Sequence, residues 1–263
     1  MSQIDETAKI AKGAIIGKNV TIGAFCVIGE NVVIGDSTII EPHCVISGKT
    51  TIGKNNHIFS HSALGSQPQS LGYKGEVVEL IIGDGNIIRE HTLFNTGTVS
   101  GGGKTVIGNN NFFMGYTHVA HDCIIGNNCI FANGVTFAGH VTCDDFAFIG
   151  GLTPIHQFCS IGTGVMIGGG SVITQDIPPY TLAEGNRAKV KGLNLVGLRR
   201  RIKNTQDIDE LKRVYKILFR SNEPIKESAQ KLLETNSNQY VQILCNFILQ
   251  TKRGIPYGRT KQE

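Results

Sequence analysis

The sequence runs to 263 residues with 33 Gly, no Trp and a formal net charge of +4. That length accommodates one large domain, or a large domain with an appendage, and it buries a substantial core. No apolar run approaches the roughly 18 residues of a membrane span, and MSQIDETAKIAKG lacks a basic region followed by an apolar one, so a cytoplasmic protein without a transmembrane segment is expected.

The seven Cys are odd in number and show no CxxC pair, which points to reduced thiols in small interior positions rather than a disulfide framework or a zinc knuckle. Charge is unevenly divided. Residues 1–185 carry 8 Lys+Arg against 14 Asp+Glu, a balance of −6, whereas residues 186–263 carry 17 against 7, a balance of +10. The C-terminal part therefore has its own electrostatic role or its own solvated surface.

From the N-terminus, Ile10, Ile16, Ile22, Ile28, Ile34, Ile40, Ile46, Ile52, Ile58 and Leu64 recur at an interval of six, and Gly follows the apolar residue six times. After a short piece at Ile82, Ile88 and Phe94, a second phase runs from Ile107 through Phe113, Val119, Ile125, Phe131 and Phe137 to Ile173. Six is neither the helical 3.6 nor simple alternation, so each unit is a short strand and a corner, with Gly and Asn as the turning residues. Three units per turn predict an 18-residue coil, and stacked coils pair in parallel about 4.8 Å apart. The period alone does not give the hand of winding.

Residues 65–81 and 95–106 are polar and Gly-rich, leave the register, and are expected to protrude as loops. Past Pro178 and Pro179 the sixfold period ends, and from about residue 190 apolar spacing becomes helical: Ile208, Leu211, Tyr215 and Leu218, then Ile225 to Leu233, then Tyr240, Ile243, Leu244, Phe247 and Ile248. The prediction is a β-helical domain over 1–186 and a small α-helical domain over 187–263.

Counting by 18 places His121, Gly139 and Gln157 in one column, with His140 and His156 one residue to either side and His118 on the same edge. Such a cluster admits three chemistries. A histidine base is poised to take a proton from a hydroxyl or amine. Histidines can also hold zinc between subunits, or line a binding surface without turnover.

The runs THVAHDCIIGNN (117–128), FAGHVTCDDFAFIGG (137–151), HQFCSIG (156–162), QDIPPY (175–180), AEGNRAKVKGLNLVGLRRR (183–201) and IREHT (88–92) resemble the UDP-N-acetylglucosamine 3-O-acyltransferases, which begin lipid A synthesis. The resemblance spans essentially the whole chain. It implies a left-handed parallel β-helix, a homotrimer with the active site between neighbours, and no metal, cofactor or nucleic-acid partner. It makes His121 the general base, Asp122 its orienting carboxylate and the Gly139 amide the oxyanion donor. Because neighbours on a straight strand face opposite sides, the His121–Asp122 contact requires a corner there. His118, His140, His156 and Gln157 would line the sugar, phosphate and acyl contacts, with Gln69 on the first loop. Gly169 would floor the acyl groove, leaving it open to long chains. Asn194, Arg200 and Arg201 would hold the nucleotide diphosphate, and acyl carrier protein bearing an (R)-3-hydroxyacyl thioester would be the donor.

Two departures stand out. Where the family reads Gln-Asp-Leu-Lys-Tyr, residues 69–73 read Gln-Ser-Leu-Gly-Tyr, and the usual His-Arg pair is Asn95-Thr96. A 3-amino-3-deoxy acceptor, whose nucleophile depends less on positioning, is therefore a second reading. The neighbouring N-acyltransferase of the pathway shares the repeat and the histidine base but carries an extra N-terminal domain, whereas the hexads here begin by residue 10. A non-enzymatic β-helix is disfavoured by the His, Gln and Gly column.

Overall fold

The computed structural model describes residues 2–258, so residues 259–263 of the expected second domain lie outside it. Short strands, most of them two residues long, follow one another around three sheets in strict rotation. The first sheet has 11 strands beginning at Gln3–Ile4, the second has 8 beginning at Lys9–Ile10, and the third has 8 beginning at Ile15–Ile16. Every pairing within the coils is parallel; Thr21 lies beside Ile39, and His118 beside Thr136, one 18-residue coil on. Two consequences follow from the hexad. From the second coil on, one residue of each two-residue strand, such as Ile22, Ile40 or Ile58, points inward and is buried, while its neighbour faces out. The interior changes along the axis from Ile to Phe, and Phe94, Phe113, Phe131 and Phe137 stack with ring centroids 4.9–5.0 Å apart where the histidines lie outside.

Each coil turns at three edges, here called the first (first sheet to second), the second (second to third) and the third (third to first). A residue in the left-handed region occurs at each edge of nearly every coil. Asn19, Asn55, Asn110 and Asn128 take it on the third edge, as their side chains allow. The first edge departs from the expected Gly and Asn. There Phe25, His43, His61, His91 and Tyr116 all adopt φ near 60° and stack ring on ring, 4.9–5.2 Å apart and within 16° of parallel. Stacking between coils offsets the backbone cost of placing bulky residues there.

Strands Ala63–Ser66, Glu79–Ile82, Leu93–Asn95 and Lys104–Ile107 extend into the two segments read as loops, so the protruding pieces shrink to 67–78 and 96–103. Both leave from the second edge. Helical spacing also begins later than expected: Thr181–Glu184 and Lys189–Leu193 form an antiparallel hairpin on the end of the first sheet. Helices α1 (Leu195–Arg201), α2 (Thr205–Arg220), α3 (Ile225–Thr235) and α4 (Gln239–Gln250) follow. They surround a second core that includes Leu211, Leu218, Leu244 and Ile248, and Tyr180 and Val190 join it from the end of the β-helix. None of the described helices is long and apolar enough to cross a membrane.

Candidate active site

The second edge brings the predicted histidine column together. His121 precedes the left-handed residue of its coil, Asp122, and Gly139 precedes His140 in the next, where His140 N–H donates to the His121 carbonyl at 3.0 Å. This is the corner that a contact between adjacent residues requires: Asp122, at φ 62°, turns its carboxylate back under its neighbour, and His121 Nδ1 lies 2.8 Å from Asp122 Oδ2. The carboxylate is fully buried while the imidazole keeps 16% of its surface. A buried charge in such a place requires partners, and it has them. Besides His121, the Thr98 N–H donates to Oδ1 at 2.7 Å and the Thr98 hydroxyl to Oδ2 at 2.6 Å.

Gly139 lies against the His121 ring so closely that a Cβ there would come within 2.6 Å of it. Its carbonyl accepts from Phe158 N–H at 3.1 Å. The residue is thus confined to Gly by the imidazole, and the same confinement brings its backbone beside the His121 ring. His140 meets His121 edge-on at 5.1 Å and stacks flat on Phe158 at 4.4 Å. Its Nε2 is 3.7 Å from Asp122 Oδ2, beyond hydrogen-bond range.

His118 sits on the outer face of the second sheet, its Nδ1 3.0 Å from the Leu93 carbonyl. Burial lowers its pKa below the ordinary value, the Leu93 carbonyl opposing and the His121 charge adding to the fall. His156 and Gln157 occupy the next coil of the same edge and are exposed, with His156 Nδ1 3.0 Å from the Gln157 carbonyl. Gln69 is exposed on the 67–78 loop above. The ligand-capable atoms of His121, Asp122 and His140 all lie within 4.8 Å of one another, close enough to hold an ion. Metal analysis of the purified protein addresses that possibility directly.

The remaining predicted residues are on other edges. Gly169 adjoins Gly170, which turns the first edge at φ 68°. Asn194 caps α1, accepting from Gly197 N–H at 3.0 Å and donating to the Gly164 carbonyl at 3.0 Å on the third edge. Arg201 lies on that edge too, its guanidinium 5.0 Å over the Phe146 ring and donating to the Phe146 carbonyl at 3.2 Å. Arg200 is exposed on the same helix. One chain therefore spreads the predicted site over all three edges of the prism, the histidine column on the second, Gly169 on the first, and Asn194 and Arg201 on the third. Thr98, Phe158 and the buried Asp176 escaped sequence reasoning. The first and last make contacts 24 and 75–77 residues away, which no local pattern carries.

Known proteins share this sequence pattern and this fold. The family described as UDP-N-acetylglucosamine O-acyltransferase, domain 2, matches residues 176–256, and the bacterial transferase hexapeptide family matches residues 104–139. The acyl-acyl-carrier-protein:UDP-N-acetylglucosamine O-acyltransferase of Aliarcobacter butzleri is 63% identical over 98% of this chain and 100% of its own. That of Sulfurovum sp. is 55% identical over 98% and 99%. Among solved structures, the UDP-N-acetylglucosamine acyltransferase from Campylobacter jejuni superposes with a TM-score of 0.94 at 46% identity, covering 98% of this chain and 100% of that one. The Francisella novicida enzyme gives 0.95 at 36% identity, covering 98% and 95%. The likeness spans both parts, the left-handed parallel β-helix and the helices that follow it. With the imidazole–carboxylate pair in place at its second edge, the chain belongs to the UDP-N-acetylglucosamine O-acyltransferase family of hexapeptide-repeat acyltransferases.

Proposed function

We propose that this chain transfers an (R)-3-hydroxyacyl group from acyl carrier protein to the 3-position of UDP-N-acetylglucosamine, the first step of lipid A synthesis, as a cytoplasmic homotrimer. One observation carries the reading: His121 is held through Nδ1 by a buried carboxylate at 2.8 Å, with its ring against the Gly139 backbone. Nδ1 bonded in this way leaves Nε2 as the basic nitrogen. Nε2 takes the proton from the sugar's 3-hydroxyl as its oxygen attacks the thioester carbonyl. The Gly139 N–H receives the resulting oxyanion. The C–S bond then breaks, and the imidazolium returns its proton to the departing thiol. A positioned base contributes about 10²–10⁴ and an oxyanion donor about 10²–10³, which suffices for an activated thioester.

His118, His140, His156, Gln157 and Gln69 contact sugar, phosphate and acyl groups in this reading, and Gly169 forms the floor of the acyl groove. The β-helical domain to residue 186 supplies the chemistry, and the following domain supplies Asn194, Arg200 and Arg201 for the diphosphate. Two observations support a trimer. Asn194 and Arg201 lie on a different edge from His121, so one substrate reaches both sets most simply when a second copy presents its third edge to the first copy's second edge. The outer face of the first sheet is also apolar, with Ile39, Ile87 and Ile130 exposed and Phe112, Phe148 and Met166 half-buried.

The loop departures at Gln69–Tyr73 and Asn95–Thr96 favour a second acceptor, the 3-amino analogue. Asn95 is buried with its Oδ1 lacking a partner, while its Nδ2 donates to the Gln67 carbonyl at 2.8 Å. Direct competition between UDP-N-acetylglucosamine and its 3-amino analogue is the test. An ester product from the hydroxyl sugar upholds the first reading, a preferred amide product upholds the second, and no transfer to either sugar overturns both.

A further inference from the structure

Asp122 Oδ2 stands between two imidazoles, 2.8 Å from His121 Nδ1 and 3.7 Å from His140 Nε2. A modest rotation of the carboxylate would exchange one for the other, so something must decide which histidine it serves. The protruding 96–103 loop is built around that carboxylate. Thr98 donates its N–H to Oδ1 at 2.7 Å and its hydroxyl to Oδ2 at 2.6 Å, which fixes both oxygens and hence the plane of the group. The backbone of Asp122 is pinned as well, its N–H donating to Thr105 Oγ1 at 2.8 Å.

The loop folds back over this contact. Gly101 and Gly103 donate their N–H groups to the Thr98 carbonyl at 3.0 and 2.7 Å, and Gly101 N–H also reaches Thr98 Oγ1 at 3.2 Å. That last bond occupies a lone pair of the hydroxyl and leaves its hydrogen for Asp122. Gly101 covers the carboxylate so closely that a Cβ would fall 2.0–2.4 Å from its three atoms. Any side chain at 101 must displace either the loop or the carboxylate.

We propose that Thr98 is a positioning residue for the reaction, and that the 96–103 loop is a carboxylate cradle that commits Asp122 to His121 rather than His140. The inference rests on His121 being the base. In Thr98→Val Oδ2 loses the hydroxyl that fixes it and the carboxylate is held less firmly, by the residue 98 N–H on Oδ1 and His121 on Oδ2, whereas Thr98→Ser retains both Thr98 donors. Gly101→Ala parts the loop from the carboxylate by volume alone.

The test is steady-state acyl transfer by the full-length variants, together with ¹⁵N-histidine NMR of the His121 ring. Thr98→Val is expected to lower kcat about 10–100-fold, the range for one hydrogen bond to a charged group, with both KM values within about twofold. Thr98→Ser should recover kcat to within about threefold, and Gly101→Ala should behave like Thr98→Val. In the wild type the NMR spectrum should show His121 protonated on Nδ1, and in Thr98→Val a second tautomer should appear. An unchanged kcat and tautomer in Thr98→Val would overturn the proposal, as would an equal loss in Thr98→Ser. The NMR measurement requires no turnover, so the cradle can fail while the base assignment stands, or survive when His121→Ala refutes that assignment.

Discussion

The second and third edges of the prism carry groups expected to meet on one substrate, yet they are built in opposite ways. On the second edge, His121, Asp122, Gly139 and His140 are set by coil register, with neighbours supplied by the chain 18 residues on or by the loop directly above. On the third edge, Arg201 reaches Phe146 across 55 residues only because α1 docks against the coils. The helices behind it are tied down by the Asp176 carboxylate, which is buried. It accepts from Ser160 N–H at 2.8 Å within the prism, and from the Thr251 hydroxyl at 2.5 Å and the Lys252 and Arg253 N–H groups at 3.1 and 3.2 Å beyond α4. In the proposed reading, bond making rests on short-range periodic geometry, and phosphate recognition rests on a docked appendage.

Three measurements sharpen or break this contrast. The largest effect is expected from His121→Ala, which should reduce kcat by at least about 10² while the variant stays folded, Thr98 still donating two hydrogen bonds to the Asp122 carboxylate. A folded variant with more than about a tenth of wild-type turnover removes the base from His121. Asp176→Ala should come next, costing the docking of the helices about 3 kcal/mol through lost hydrogen bonds to a buried charge. An earlier helical unfolding step in circular dichroism, with KM for the nucleotide sugar raised more than kcat falls, is the expected outcome. A single cooperative transition shifted as a whole would show instead that the two parts unfold as one.

The smallest effect concerns the basic surface. Lys212, Lys216 and Arg220 recur every four residues on α2 and line an open groove of about 780 Å³ with Tyr215, Ile217, Leu193 and Leu195. Lys212 and Arg213 pair with Asp209 and Glu210 on the same helix. Reversing the charge of Lys212, Lys216 and Arg220 should raise KM for acyl carrier protein several-fold at low salt, spare KM for the nucleotide sugar, and lose its effect as ionic strength rises. Unchanged carrier kinetics would assign the +10 balance of residues 186–263 to solvation alone.

Much of this was legible in the residues. The sixfold period determines the coil, the inward face and the stacking of His121 above Gly139, because in a solenoid sequence separation translates directly into position. The three longer helices show in their apolar spacing. Long-range choices are not encoded in that way. Lys189–Leu193 reads as the approach to a helix until Thr181–Glu184 pairs with it, and Thr98 is one Thr among several until a loop closes it onto Asp122. Placement of Asn194 and Arg201 on a different edge from His121 depends on how the helices dock, and no period reports that.

A stack of parallel strands invites another strand at each open rim, and identical prisms with two such rims would join into fibres. The hairpin at the C-terminal rim blunts the end of the first sheet. Lys189–Leu193 runs against the grain of the first sheet, and its Val190 N–H is already taken by the Pro256 carbonyl at 2.7 Å. The return strand that leads into the helices thus also blunts the C-terminal end of the first sheet, one of the three sheets of a highly repetitive molecule.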